Sequence, residues 1–173
     1  MKRCKYLIIN QFIFKNRQID LKDGDENLQN LDISHFDTSS VSTMRFMFSS
    51  CCALTELNLS FFNTSNVTTM GEMFSGCYSL TKLDVSGWDT SHVRDMSKMF
   101  NYCTKLRTLD VSGFDTSNVQ YMDHMFENCE NLSYLDLSNF NTTNARSMEK
   151  MFFKCPRLCN LDISNFNLNN TNI

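Results

Sequence analysis

The chain has 173 residues, 42% of them hydrophobic, and its 16 basic and 19 acidic side chains give a formal net charge of -3. That length and apolar content suit one folded domain and exclude a disordered or low-complexity chain. The charges are dispersed and no basic stripe exists to neutralise a phosphate backbone, so no nucleic-acid partner is expected.

The first segment, residues 1–27, begins MKRCKYLIINQFIFKNRQ. Its basic start and apolar stretch from Tyr6 to Phe14 have the outline of a secretory signal, but Asn10 and Gln11 interrupt the stretch and no small-residue cleavage site follows. It is read as an N-terminal cap or degenerate leader. No other stretch approaches the ~18 apolar residues of a membrane span, so no transmembrane span is expected.

From residue 28 onward the chain repeats itself. Leu28, Leu54, Leu80, Leu106, Leu132 and Leu158 begin units that align without insertion at a period of 26 residues. The units are 28–53, 54–79, 80–105, 106–131, 132–157 and a partial one at 158–173, making residues 28–173 a repeat solenoid. The pattern LxxLDxSxFDTSxVxxMxxMFxxCxx is clearest in LRTLDVSGFDTSNVQYMDHMFENCEN, residues 106–131. Leu109 and Val111 alternate with Asp110 and Ser112, which predicts one short half-buried strand per unit. Val119, Met122, Met125, Phe126 and Cys129 then follow at i, i+3, i+6, i+7 and i+10. That stripe predicts a short helix or 3-10 segment, with a second strand as the alternative because valine, threonine and serine are mediocre helix formers. The expected fold is α/β: a leucine-rich-repeat-type solenoid with one short parallel strand and one short helix or 3-10 segment per coil.

Equivalent positions in such a solenoid form rows. Cys51, Cys77, Cys103, Cys129 and Cys155 end the apolar stripe of successive units and read as structural thiols filling a corner of the core. Cys4, Cys52 and Cys159 are irregular; no CxxC pair or Cys/His spacing suggests zinc, and neither metal nor cofactor is expected. The methionine pairs and the row Phe36, Phe62, Trp88, Phe114, Phe140 and Phe166 read as core. The aspartates and asparagines of the FDTS-like segments, and the threonine and serine that usually follow them, read as turn formers accepting from the backbone two residues on.

The outward strand positions are the candidate ligand surface: Asp32, Asn58, Asp84, Asp110, Asp136 and Asp162, with Ser34, Ser60, Ser86, Ser112, Ser138 and Ser164 beside them. Carboxylates recurring about every 5 Å require an offset to their repulsion, either hydrogen bonds from serine and backbone groups or a bound cation or basic ligand. The hydrogen bonds are favoured. The opposite face varies from unit to unit, and Tyr102, Tyr121 and Tyr134 are assigned to it as candidate exposed aromatic anchors. An enzyme would need a nucleophile and base in reach of each other. His35, His92 and His124 occupy three different repeat positions and the five glycines form no phosphate loop, so no catalytic activity is expected.

The motif LTKLDVSGWDTSHVRDMSKMF, residues 80–100, resembles the repeat unit of the BspA-like leucine-rich-repeat surface proteins, and the resemblance covers about residues 28–167. It implies an exported or surface-anchored protein, several such proteins being adhesins, and hence a protein or cell-surface ligand. The alternative is a cytoplasmic structural or interaction protein, or a shortened remnant of a longer surface protein. The last unit runs out in NLNNTNI, and an uncovered coil there is expected to bury its strand edge by self-association or against another molecule.

Overall fold

The computed structural model describes residues 33–34 and 36–169. The cap at 1–27, Cys4, Asp32, His35 and residues 170–173 lie outside the described residues. Each unit is one coil, and the coils stack so that a residue lies beside its equivalent 26 positions away.

The alternating half of the unit does become strand, but sparingly. Strands β1 (Glu56–Asn58) and β2 (Lys82–Asp84) pair in parallel with Glu56 opposite Lys82, Leu57 opposite Leu83 and Asn58 opposite Asp84. Between the fourth and fifth coils the same level narrows to a single parallel bridge, Thr108 to Tyr134. The reason is visible just beyond each pairing, where Asx turns at Asn58, Asp84, Asp110 and Asp136 bend the chain away.

The helix expected in the second half is absent; no helix occurs among the described residues. In the third coil the N–H groups of Met96, Lys98, Phe100 and Tyr102 cross to the carbonyls of Tyr121, Asp123, Met125 and Glu127 in the next coil, each at 2.9 Å. Those of Met99, Asn101 and Cys103 turn back three residues to Met96, Lys98 and Phe100. That of Ser97 goes to Asp95 Oδ1. Every backbone donor in the run is thereby used, half of them between coils, and none in the i to i-4 pattern of an α-helix. Lys98 (φ 55°) and Tyr102 (φ 60°) are left-handed, as are their equivalents in neighbouring coils, and a left-handed residue every fourth position rules out a continuous right-handed helix. Stacked three-residue turns put apolar side chains inward at i and i+3 just as a helix would. The correction is therefore to a solenoid of short strands and turns, bonded coil to coil through the parallel bridges Thr43 to Thr69, Thr69 to Asp95, Asp95 to Tyr121 and Tyr121 to Ser147.

Within this frame the core is a set of columns. Phe48, Phe74, Phe100, Phe126 and Phe152 stack nearly parallel with centroids 5.6, 5.6, 5.5 and 5.8 Å apart. A second aromatic column includes Trp88 over Phe114 at 6.3 Å and Phe140 over Phe166 at 6.5 Å. The larger Trp88 also lies 6.3 Å from Phe74, bridging the two columns, and its Nε1 donates to the Leu59 carbonyl at 2.8 Å. The thiols of Cys77, Cys103, Cys129 and Cys155 each donate to the carbonyl of the phenylalanine 29 residues earlier, at 2.9 to 3.3 Å. Cys103, Cys129 and Cys155 are in no disulfide, and burial pushes their thiols above the usual range, strongly so at Cys103 and Cys129. They are packing groups with little nucleophilic character.

Candidate functional site

The outward strand row is built by Asx turns. Asp110 Oδ1 accepts from Ser112 N at 3.0 Å and from Ser112 Oγ at 2.6 Å, and Asp84 and Asn58 hold Ser86 and Ser60 in the same way. Asp136 and Asp162 accept from Ser138 N and Ser164 N at 2.9 Å. The serine hydroxyl and backbone N–H hold the Asp110 carboxyl below its usual pKa; at Asp136 and Asp162 the backbone bond is the larger cause. Repulsion from Asp110 raises Asp136 only as a minor opposing effect. Asp110, Asp136 and Asp162 thus stay ionised and oriented, with the bonded Oδ1 turned toward serine. Ser34, the first described member of the serine row, is exposed.

The FDTS segments form a second row of Asx turns, Asp37, Asn63, Asp89, Asp115, Asn141 and Asn167 each accepting from the N–H two residues on. The threonine inside the segment is a clamp between coils. Thr90 Oγ1 donates to the Asp115 carbonyl at 3.0 Å and accepts from Asp115 N at 2.8 Å; Thr64, Thr116 and Thr142 do the same toward Asp89, Asn141 and Asn167. Reading these threonines as turn formers alone missed the clamp. The available signal was that threonine is kept at 38, 64, 90, 116 and 142 while its neighbour alternates between Asp and Asn. Asn66, Asn118 and Asn144 tie the coils in the other direction, each Nδ2 donating to a serine carbonyl 27 residues earlier. At Gly87 the coils come so close that a Cβ would collide with the Ser60 carbonyl oxygen.

The three tyrosines are exposed, Tyr102 and Tyr121 at 41% and Tyr134 at 65%, but they lie on three different rows. Tyr102 is at a left-handed corner with its ring edge-on to Tyr78 at 5.9 Å. Tyr121 is in the turn-half ladder, bridged to Asp95 and Ser147. Tyr134 is not on the varied face to which its irregularity assigned it. It is two residues before Asp136 in the strand half, so strand alternation puts it on the acidic face. His92 and His124 are also separated, His92 beside Ser91 Oγ at 3.1 Å and His124 Nδ1 2.8 Å from Glu127 Oε2. Among the described residues no group of three or more His, Cys, Asp or Glu is placed to hold a metal ion, and no helix is long and apolar enough to cross a membrane.

The repeat recurs in known sequences: the family described as "Mycoplasma protein of unknown function, DUF285" matches residues 20–83 and 80–173. The chain belongs to the DUF285 family. Curated proteins offer no match to this DUF285 chain. A solved structure, the T. pallidum leucine-rich repeat protein TpLRR, is similar at 19% identity with a TM-score of 0.43, over 68% of this chain and 61% of that one. The DUF285 chain therefore spans less than two thirds of the TpLRR structure. Its own ladder of coil-to-coil bonds, rather than that likeness, establishes the repeat solenoid.

Proposed function

We propose that this DUF285 chain is a non-catalytic binding module of the BspA-like kind, working in adhesion or protein binding at a cell surface, with the strand face as its contact surface. The observation that carries the reading is the row Asp84, Asp110, Asp136 and Asp162, each fixed by its own serine, with Tyr134 standing 65% exposed beside it. A rigid row of like charges suits a basic or repetitive partner, because each coil adds a weak contact to the same ligand and avidity replaces one strong contact. A protruding tyrosine supplies the apolar anchor that charged rows lack.

Protease treatment of intact source cells tests the location: loss of the chain while a cytosolic control survives supports surface display. Binding of the purified chain to extracellular proteins, weakened by Tyr134→Ala and by Asp110→Asn with Asp136→Asn, supports the strand face. A second reading, an intracellular interaction protein, is favoured by one observation, the free thiols of Cys103, Cys129, Cys155 and exposed Cys159, which suit a reducing compartment. Full protection in intact cells with cleavage after lysis would establish that reading and overturn display.

A further inference from the structure

A different edge of the solenoid carries a second surface of opposite character. At the corner after the phenylalanine column, Glu130, Asn131, Lys154, Pro156 and Arg157 line a shallow groove of about 450 Å³. Lys154 and Arg157 form no ion pair among the described residues, although the chain as a whole is acidic. The Lys154 ammonium rests 5.5 Å from the centroid of the Phe153 ring. Phe153 itself is exposed.

Along the same corner Lys154, Asn128 and Tyr102 occupy one repeat position in the fifth, fourth and third coils, all three left-handed. Asn128 is 3% exposed, and its side-chain Nδ2 is buried with no hydrogen-bond acceptor. A buried amide left without an acceptor costs about 1–3 kcal/mol, so an outward turn of the Asn128 side chain that lets Nδ2 meet a ligand oxygen gains that bond. The next member of the row, Tyr102, offers an exposed ring supported edge-on by Tyr78.

We infer that this corner binds an extended acidic peptide segment, its carboxylate held by Lys154 and Arg157 and an apolar side chain resting on Tyr102. Asn128 Nδ2 donates to a ligand oxygen between them, and the Glu130 carboxylate accepts a backbone N–H of the peptide. The coil spacing sets the register: two coils separate Lys154 from Tyr102, about 10 Å, or about three residues of extended peptide. The ligand therefore carries its acidic and apolar residues three positions apart. This surface is separate from the acidic strand face and does not depend on it.

The test uses the full chain and two fluorescein-labelled peptides of one composition, with a phenylalanine and a glutamate pair three positions apart in one and adjacent in the other. Saturable anisotropy is expected for the spaced peptide, weaker binding for the adjacent one, and a loss of about tenfold or more in Lys154→Glu with Arg157→Glu. Both substituted residues are exposed, so an unchanged melting curve shows that the variant folds. Asn128→Gly, which keeps the left-handed backbone available, and Tyr102→Ser each weaken binding, while Asp110→Asn with Asp136→Asn leaves it unchanged. Equal binding of the two peptides, indifference to the charge reversal, or no saturation below about 1 mM overturns the proposal. Cell-surface binding by the strand face, read in the same variants, would survive that failure.

Discussion

Two groups of residues do work here that their identities alone do not announce. Lysines, a histidine, a phenylalanine, a tyrosine, an asparagine and others hold left-handed backbone at two positions per coil, where the chain uses glycine only at Gly76. For an L-residue that conformation costs about 1–2 kcal/mol, and glycine removes the cost while giving back about 0.5–1 through its freer unfolded chain. Lys98→Gly is therefore expected to stabilise the fold by about 0.5–1 kcal/mol in urea unfolding, against the usual sign for a glycine substitution. The aspartates supply a pH dependence. Asp37, Asp89, Asp110, Asp115, Asp136 and Asp162 all lie below the ordinary carboxyl value because serine groups hydrogen-bond the ionised form. Folded carboxylates then bind protons less readily than unfolded ones, so their contribution is complete above the unfolded value of about 3.9 and is lost as pH falls through the depressed folded values. Ser112→Ala should move the Asp110 titration, followed by carbon NMR, up toward that unfolded value. An unmoved titration would mean that the hydroxyl bond contributes nothing.

At the scale of the element, the coil is joined to its neighbours by backbone ladders and by the threonine clamp, and the clamp can be removed alone. Thr116 is fully buried, and Oγ1 both accepts from Asn141 N at 2.8 Å and donates to the Asn141 carbonyl at 3.1 Å. Thr116→Val keeps the shape and leaves both backbone groups without that partner, an expected loss of about 1–3 kcal/mol. Thr116→Ser keeps the hydroxyl and should recover most of it. If Thr116→Ser unfolds at lower urea than Thr116→Val, the methyl group rather than the clamp matters. The turn half has a similar logic: its donors reach the next coil only because left-handed residues turn alternate N–H groups outward along the stack.

For the whole molecule, stability is the sum of coil terms and nearest-neighbour terms, since each coil contacts those beside it. Excising residues 106–131, one complete coil, should leave a folded solenoid of lower stability, because the third coil meets the fifth in the register it had with the fourth. Excising residues 107–131 breaks the register and should abolish cooperative unfolding. Trp88, buried in the third coil, reports both outcomes by fluorescence. Cooperative unfolding of the shorter excision at equal denaturant would mean that register does not govern the stack. One long-range tie accompanies the neighbour terms: Arg45 reaches Glu72 at 3.2 Å and Asp95 at 3.0 Å, linking the first three coils at the surface.

By itself the sequence determined the period, the inward columns and the Asx turns. Each depends on a side chain's chemistry and its place in a fixed repeat, both of which can be read along the chain. It did not determine how the VxxMxxMF half is bonded, because a spacing of three places side chains inward whether the N–H groups turn back within one chain segment or cross to the next. That choice depends on a neighbouring coil supplying acceptors in register. Tertiary structure likewise revealed the threonine clamp and brought Tyr102, Asn128 and Lys154 from three coils into one row. Residues 26 apart become neighbours only when the coils stack, and their side chains then meet partners that no local stretch of sequence contains.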